Sequence, residues 1–271
     1  MGLTIHWHHE MAKGASKKQI KEMLGSVKQF AERLGFAEVG DIVHLKQSEI
    51  SAIAEERGHP FNWFIIQSEM SFEHELSDKR CCWYRIPPKE IIGISLWPGE
   101  GCEEMNVIFG LYPGFIEISE EPKGHPDSWM RSQPEKRRKR TGLAGRWLNS
   151  SFCKTTYSVD PVKCHIMVCS VLRMLEQYME VQEVNDESGY YDQLERDSLA
   201  ESFASDHRML AAFAGAFKDS LAGTGLGVEA PITQDPEFER LEFEGQDQLG
   251  GTIEAIKDIL SEKEQRGPQL N

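Results

Sequence analysis

The sequence predicts an α+β protein made of two βαβ-type units, read as a ferredoxin-like repeat, followed by C-terminal helices. Three observations predict it. A strand, a capped helix and a second strand follow one another within residues 3–45, and the same order returns within residues 151–191. The helix of the second unit is apolar over most of its circumference, as expected of one covered on more than one face. When Ser16 is set against Asp160 the two helices align without a gap, matching Met23 with Met167, Ser26 with Ser170, Val27 with Val171 and Glu32 with Glu176. Shared helical patterning yields some such matches by itself, so the common order of cap, helix and trailing strand weighs more.

In chain order, Leu3 to Glu10 alternates: Leu3, Ile5 and Trp7 share one face, Thr4, His6, His8 and Glu10 the other. That is a half-buried strand. Gly14 breaks it and Ser16 is a good N-cap. Ile20, Met23, Leu24, Val27, Phe30, Ala31 and Leu34 then form one helical stripe, closed by Gly35 at C′. Ala37 to Leu45 reads as the second strand. Gln47 to Arg57 reads as a short surface helix closed by Gly58, and Phe61 to Ser68 and Cys81 to Ile86 as strands. Glu90 to Trp97 and Glu104 to Tyr112 predict a hairpin around Pro98-Gly99-Glu100-Gly101, with a short strand at Gly114 to Ser119.

Residues 120–142 are polar and contain prolines, the composition of a linker or loop. In the second unit Asp160 caps and Pro161 occupies the first helical position, where a missing N–H costs nothing. Val162, Cys164, Ile166, Met167, Val168, Cys169, Val171, Leu172, Met174, Leu175, Tyr178 and Met179 make the wide apolar arc. A helical region spans Asp192 to Leu221, and one more helix is expected over Gln248 to Glu264. The expected division is therefore a first ferredoxin-like unit with insertions at 1–119, a polar and basic linker at 120–146, a second unit at 147–227 and an acidic extension at 228–271.

The chain has 271 residues and a formal net charge of −14, of which −7 falls in residues 229–271 with eleven acids and four bases. A body without basic excess argues against a dedicated nucleic-acid binder. The run Lys136 to Arg140 can contact phosphate, but reads more simply as a solvated loop with an acidic tail to pair with. No segment reads as a bilayer span. The N-terminus lacks a hydrophobic signal core, and His6 stands where a myristoylation signal needs Ser or Thr. None of the six cysteines forms a CxxC pair, which fits reduced thiols and a cytoplasmic protein.

No Walker A loop, GxGxxG, GxSxG or HExxH is present. His6 and His8, two residues apart on one strand face, can bind Zn²⁺ if a third ligand converges, though a solvent-facing strand explains them equally. The second unit gathers polar groups at its edges: Lys154 and Tyr157 late in a strand, His165 near a helix start, and Asp186, Glu187 and Tyr190 in a glycine turn. Burial and the positive end of the helix dipole favour a neutral imidazole at His165, a base or ligand at neutral pH. The plainer account is a satisfied structural histidine beside an acidic turn. A site here requires His165 to lie within hydrogen-bond reach of Lys154 or Asp186.

At Lys154-Thr155-Thr156-Tyr157, Cys164-His165, Asp186-Glu187-Ser188-Gly189-Tyr190 and Phe213-Ala214-Gly215-Ala216-Phe217-Lys218-Asp219 the chain resembles a group of uncharacterised bacterial proteins. Thr156 departs from the Gln of their pattern. The resemblance covers about the last half of the chain and implies no activity. The expectation is a non-enzymatic ligand-binding or interaction protein of the bacterial cytoplasm, whose partner is a small molecule or a protein. The competitor is a small-molecule enzyme, metal-assisted or not, with its site in the second unit. The sequence names no cofactor and leaves the oligomeric state open.

Overall fold

The computed structural model describes residues 3–56, 58–75, 81–119, 136–220 and 230–249. It is a mixed α+β structure on a seven-stranded sheet whose paired strands are all antiparallel. The first unit supplies β1 (Thr4–Met11), α1 (Lys17–Leu34), β2 (Glu38–Val39) and β3 (Val43–Lys46). Two short helices follow, α2 (Gln47–Glu55) and α3 (Asn62–Gln67), then a small separate hairpin of β4 (Met70–Glu75) and β5 (Cys81–Ile86). The long hairpin is β6 (Glu90–Trp97) and β7 (Met105–Leu111); β8 (Phe115–Ser119) pairs with β9 (Lys136–Arg140). The second unit is β10 (Trp147–Lys154), α4 (Pro161–Leu175) and β11 (Met179–Asp186). Three helices complete the described chain: α5 (Tyr190–Gln193), α6 (Arg196–Ser220) and α7 (Phe238–Leu249).

The strand order is β11-β1-β10-β7-β6-β2, with β3 also on β6. The first strand of the chain thus lies between the two strands of the second unit, and both units share one sheet. Alternation sets the layers. Ile5 and Trp7 of β1, Ile92, Ile94 and Leu96 of β6, and Val107 and Phe109 of β7 face α1 and α4 in one apolar core. Ile20, Met23, Leu24 and Val27 of α1 and Val168, Val171, Leu172 and Leu175 of α4 close it, each less than 2 % exposed. Full burial of such a side chain contributes about 1.5–3 kcal/mol. On the other face, Ile91 and Ile108 lie under Ile50 and Ile53 of α2 and Phe64 and Ile65 of α3.

The helix ends follow the sequence closely. Ser16 and Gln19 form a reciprocal capping box, Gly35 takes the left-handed conformation at φ 82°, and the Asp160 carboxylate accepts from the Lys163 N–H. Elsewhere the structure corrects the expectation. Phe61 to Ser68, expected as a strand, contains α3, because Phe61, Phe64 and Ile65 recur at helical spacing and bury against the sheet. Ala37 to Leu45 is broken into β2 and β3. Between them the Gly40 N–H bonds to the Ser95 carbonyl, and a Cβ at Gly40 would stand 3.1 Å from that oxygen. Lys136–Arg140, expected as loop, forms β9, with the Arg138 guanidinium 4.2 Å from the Phe115 ring. Asp192 to Leu221 is interrupted at Leu194, which takes φ 59°. The helix expected over Gln248 to Glu264 lies almost wholly outside the described residues, as do residues 120–135. Among the described residues no helix is long and apolar enough to cross a membrane.

Candidate functional site

β10 and β11 both run antiparallel to β1 and therefore parallel to each other. Their C-terminal ends and the first turns of α4 meet at one edge of the sheet. Thr155 leaves β10 there, Asp186 ends β11 there, and α4 presents His165 between them. The two ring nitrogens of His165 are both engaged. Nε2–H donates to Asp186 Oδ1 at 3.0 Å, and Nδ1 lies 2.8 Å from Thr155 Oγ1. Ser188 Oγ is 3.1 Å from Nε2 and also donates to the Asp186 carboxylate. The backbone N–H groups of Ser188 and Tyr191 donate to that carboxylate at 2.9 and 2.8 Å. Gly189, at φ 74°, lets the chain turn back to aim these amides. Phe203 of α6 and Tyr190 stand edge-on to the imidazole, with centroids at 5.5 and 6.3 Å.

His165 is fully buried and the Asp186 side chain is 2 % exposed. Burial opposes ionisation of Asp186, but the hydrogen bond and charge of His165 and the two amides outweigh it and hold the carboxyl down at about 2. Hydroxyl, imidazole and carboxylate stand in the order of a nucleophilic relay. However, Thr155 is 0 % exposed, so the hydroxyl has no face open to a substrate. His165, Cys169 and Asp186 also place a nitrogen, a sulfur and an oxygen within 4.8 Å of one another, a donor set that suits Zn²⁺. Burial, and then the neighbouring Asp186 charge, push the Cys169 thiol up, and the nitrogen and oxygens already hold protein partners. As it stands, the cluster is an internally hydrogen-bonded polar node, half-buried at Ser188, that ties β10, α4, β11 and the 186–191 turn together.

The other candidates lie around this node rather than in it. Lys154 follows Cys153, which faces the core, so alternation directs its side chain to the opposite face of the sheet; its N–H bonds to Glu103. Tyr157 lies at the surface, 39 % exposed. Glu187 turns back to accept from the Thr4 N–H at 2.8 Å, fastening the turn to β1. Cys164 meets Ser158 Oγ at 3.0 Å, and a hydrogen bond from Cys102 draws its thiol below the usual range. His6 and His8 line a shallow groove on the outer sheet face with Ser150, Phe152, Glu183 and Asn185. His8 bonds to Glu10 at 3.4 Å, and the His6 ring lies 5.8 Å from Phe152. Neither belongs to the three-donor group.

Among the buried polar positions that escaped the reading of the sequence are His9 and Asn106. His9, on the core face of β1, is pushed down to about 3 by burial and then by the charge of His8, which makes it a neutral ring at physiological pH. Asn106 is 1 % exposed in β7, with no hydrogen-bond partner among the described residues for either amide atom. The signal for Asn106 was present: one amide in the apolar run Met105-Asn106-Val107-Ile108-Phe109 needs a partner from outside its strand. No family model matches the chain, and no match emerges among curated proteins or among solved structures.

Proposed function

We propose that the protein is a non-enzymatic ligand-binding or interaction protein of the bacterial cytoplasm. One observation carries this. The densest grouping of catalytic-type side chains among the described residues, Thr155, His165, Asp186 and Ser188, is buried at Thr155 and His165, half-buried at the turn, and hydrogen-bonded within itself. A general base must reach the proton it abstracts, and a nucleophile must reach an electrophile. A node saturated from within instead rigidifies the fold, which suits a scaffold that binds. A metal-assisted enzyme would use His165, Cys169 and Asp186, and would have to break their present bonds to do so.

The same proposal takes the framework as a duplicated ferredoxin-like unit. Its support is local: Met23 and Met167, and Val27 and Val171, lie buried in one core at equivalent helical positions. Ser26 and Ser170 both bond back to the carbonyl four residues earlier. The test pairs melting with chemistry. Metabolite pools are screened for compounds that raise the melting temperature, since a ligand that binds only the native state must stabilise it. Each hit is then followed by mass spectrometry for consumption. Stabilisation without consumption is expected; turnover that Thr155→Val or His165→Gln abolishes would replace the binding protein with an enzyme.

A further inference from the structure

On the face of the sheet away from α1 and α4, the cover is incomplete. α2 and α3 close over Ile91 and Ile108. Gly93 lets Phe64 seat there: a Cβ at Gly93 would stand 2.7 Å from Phe64 Cζ. Beyond Phe64 on this face of the hairpin Ser95 and Trp97 are half-buried, and Asn106 lies buried beside them. They form the floor of a cleft of about 410 Å³, a size suited to a small metabolite.

Its walls are of two kinds. Phe61, Trp63, Phe64 and Trp97 supply aromatic surface, with Phe61 and Phe64 tilted together at 6.0 Å and Trp63 left 50 % exposed. Glu38, Asp41 and Glu104 supply carboxylates, and among the described residues no Lys, Arg or His lines the cleft. Lys28 answers Asp41 at 2.7 Å, and Glu104 takes a hydrogen bond from Ser95 at 3.0 Å. Among the described residues Glu104 has no ion-pair partner, which leaves acidic charge at the rim unanswered there. The floor adds a third kind of group. Alternation along β7 puts Asn106 on the same face as Ile108, and its amide is buried without a partner among the described residues. A buried amide is costly to leave unpaired, by its donor and its acceptor alike.

We infer that this cleft binds a small organic monocation: an amine on an aromatic or apolar body, carrying a hydroxyl or amide that pairs with Asn106. Carboxylates at the rim attract the ammonium, the aromatic faces take the body and add cation–π attraction, and Asn106 fixes the orientation. The inference rests on the binding function proposed above and adds the place and the chemistry of the ligand.

The test uses the full chain and four probes of one shape, read by calorimetry and thermal shift. Tyramine has the charge, ring and hydroxyl; phenethylamine lacks the hydroxyl; 4-ethylphenol lacks the charge; 4-hydroxyphenylpropionate inverts it. Tyramine should bind at least about tenfold more tightly than the neutral or anionic probe. Trp63→Ala, at an exposed position that leaves the core intact, should weaken it by about tenfold. Glu104→Gln should weaken it by about threefold. Asn106→Leu should remove the preference for tyramine over phenethylamine; should that variant fail to fold, the Trp63 and Glu104 variants decide the matter. Absence of binding by both amines, equal binding of all four probes, or binding indifferent to Trp63→Ala and Glu104→Gln overturns the cleft assignment. In each of these cases stabilisation by other metabolites would still support a binding protein, so the two proposals fail separately.

Discussion

Replacing Asp186 by Asn separates the charge of the buried node from its shape. Asn is close in volume and resembles the protonated acid, so the two proteins differ chiefly in what ionisation of Asp186 contributes. The carboxyl falls from an ordinary 3.8 to about 2 in the fold. That is nearly two pH units at about 1.4 kcal/mol each, or about 2–3 kcal/mol. The sign follows from the direction of the fall. A carboxyl held below its unfolded value stabilises the fold at pH values above about 4, and that stability is lost as the pH drops toward 2. Urea unfolding of both proteins from pH 7 to pH 3 measures it. The gap between them should be about 2–3 kcal/mol at pH 7 and roughly half that at pH 3. Asn also turns an N–H₂ toward either the Tyr191 or the Ser188 N–H, both of which now donate to the carboxylate, so any remainder at low pH reports the lost acceptor. A gap that does not change with pH would refute the claim that His165 and the turn amides stabilise a buried charge.

Thr155→Val keeps the volume but leaves His165 Nδ1 without its partner in a fully buried site. It should cost about 1–3 kcal/mol in urea unfolding, and a neutral result would mean that the node's inner bond adds nothing. Gly93→Ala forces a Cβ to 2.7 Å from Phe64, 2.8 Å from the Val107 carbonyl and 2.9 Å from Ile108 Cα. Two of these three are backbone atoms of the paired strand, so about 1–3 kcal/mol should be lost. A melt unchanged from the parent would show that α3 is not seated as described. Tyr112 donates to the Ser68 carbonyl at 2.5 Å in a buried site, joining the end of the long hairpin to the end of α3. Tyr112→Phe should lower stability by about 1 kcal/mol, with hydrogen exchange quickening first in 62–68; global destabilisation with α3 still protected would contradict this.

Local chemistry was legible in the sequence, and contacts between distant segments were not. Ser16 with Gln19, Gly35, and Asp160 with Pro161 set helix ends through bonds within a few residues, and they stand where the sequence puts them. The alternation of β1 and the apolar arc of α4 needed only periodicity. The candidate residues His165 and Asp186 were legible as types, one near a helix start and one in a turn. Their bond, at 3.0 Å across 21 residues, arises because β1 inserts between β10 and β11 and makes those strands parallel. Nothing within either segment encodes that insertion, which depends on a strand paired with β10 from 138 to 150 residues earlier in the chain. The same physics explains the misreading of Phe61 to Ser68, where a short apolar run suits a strand or a helix equally and only burial against Ile91 and Ile108 chooses. It explains Asn106 as well. The residue was in plain view in an apolar strand, but whether an amide there finds a partner depends on how far α3 covers the sheet, and only the tertiary structure decides that.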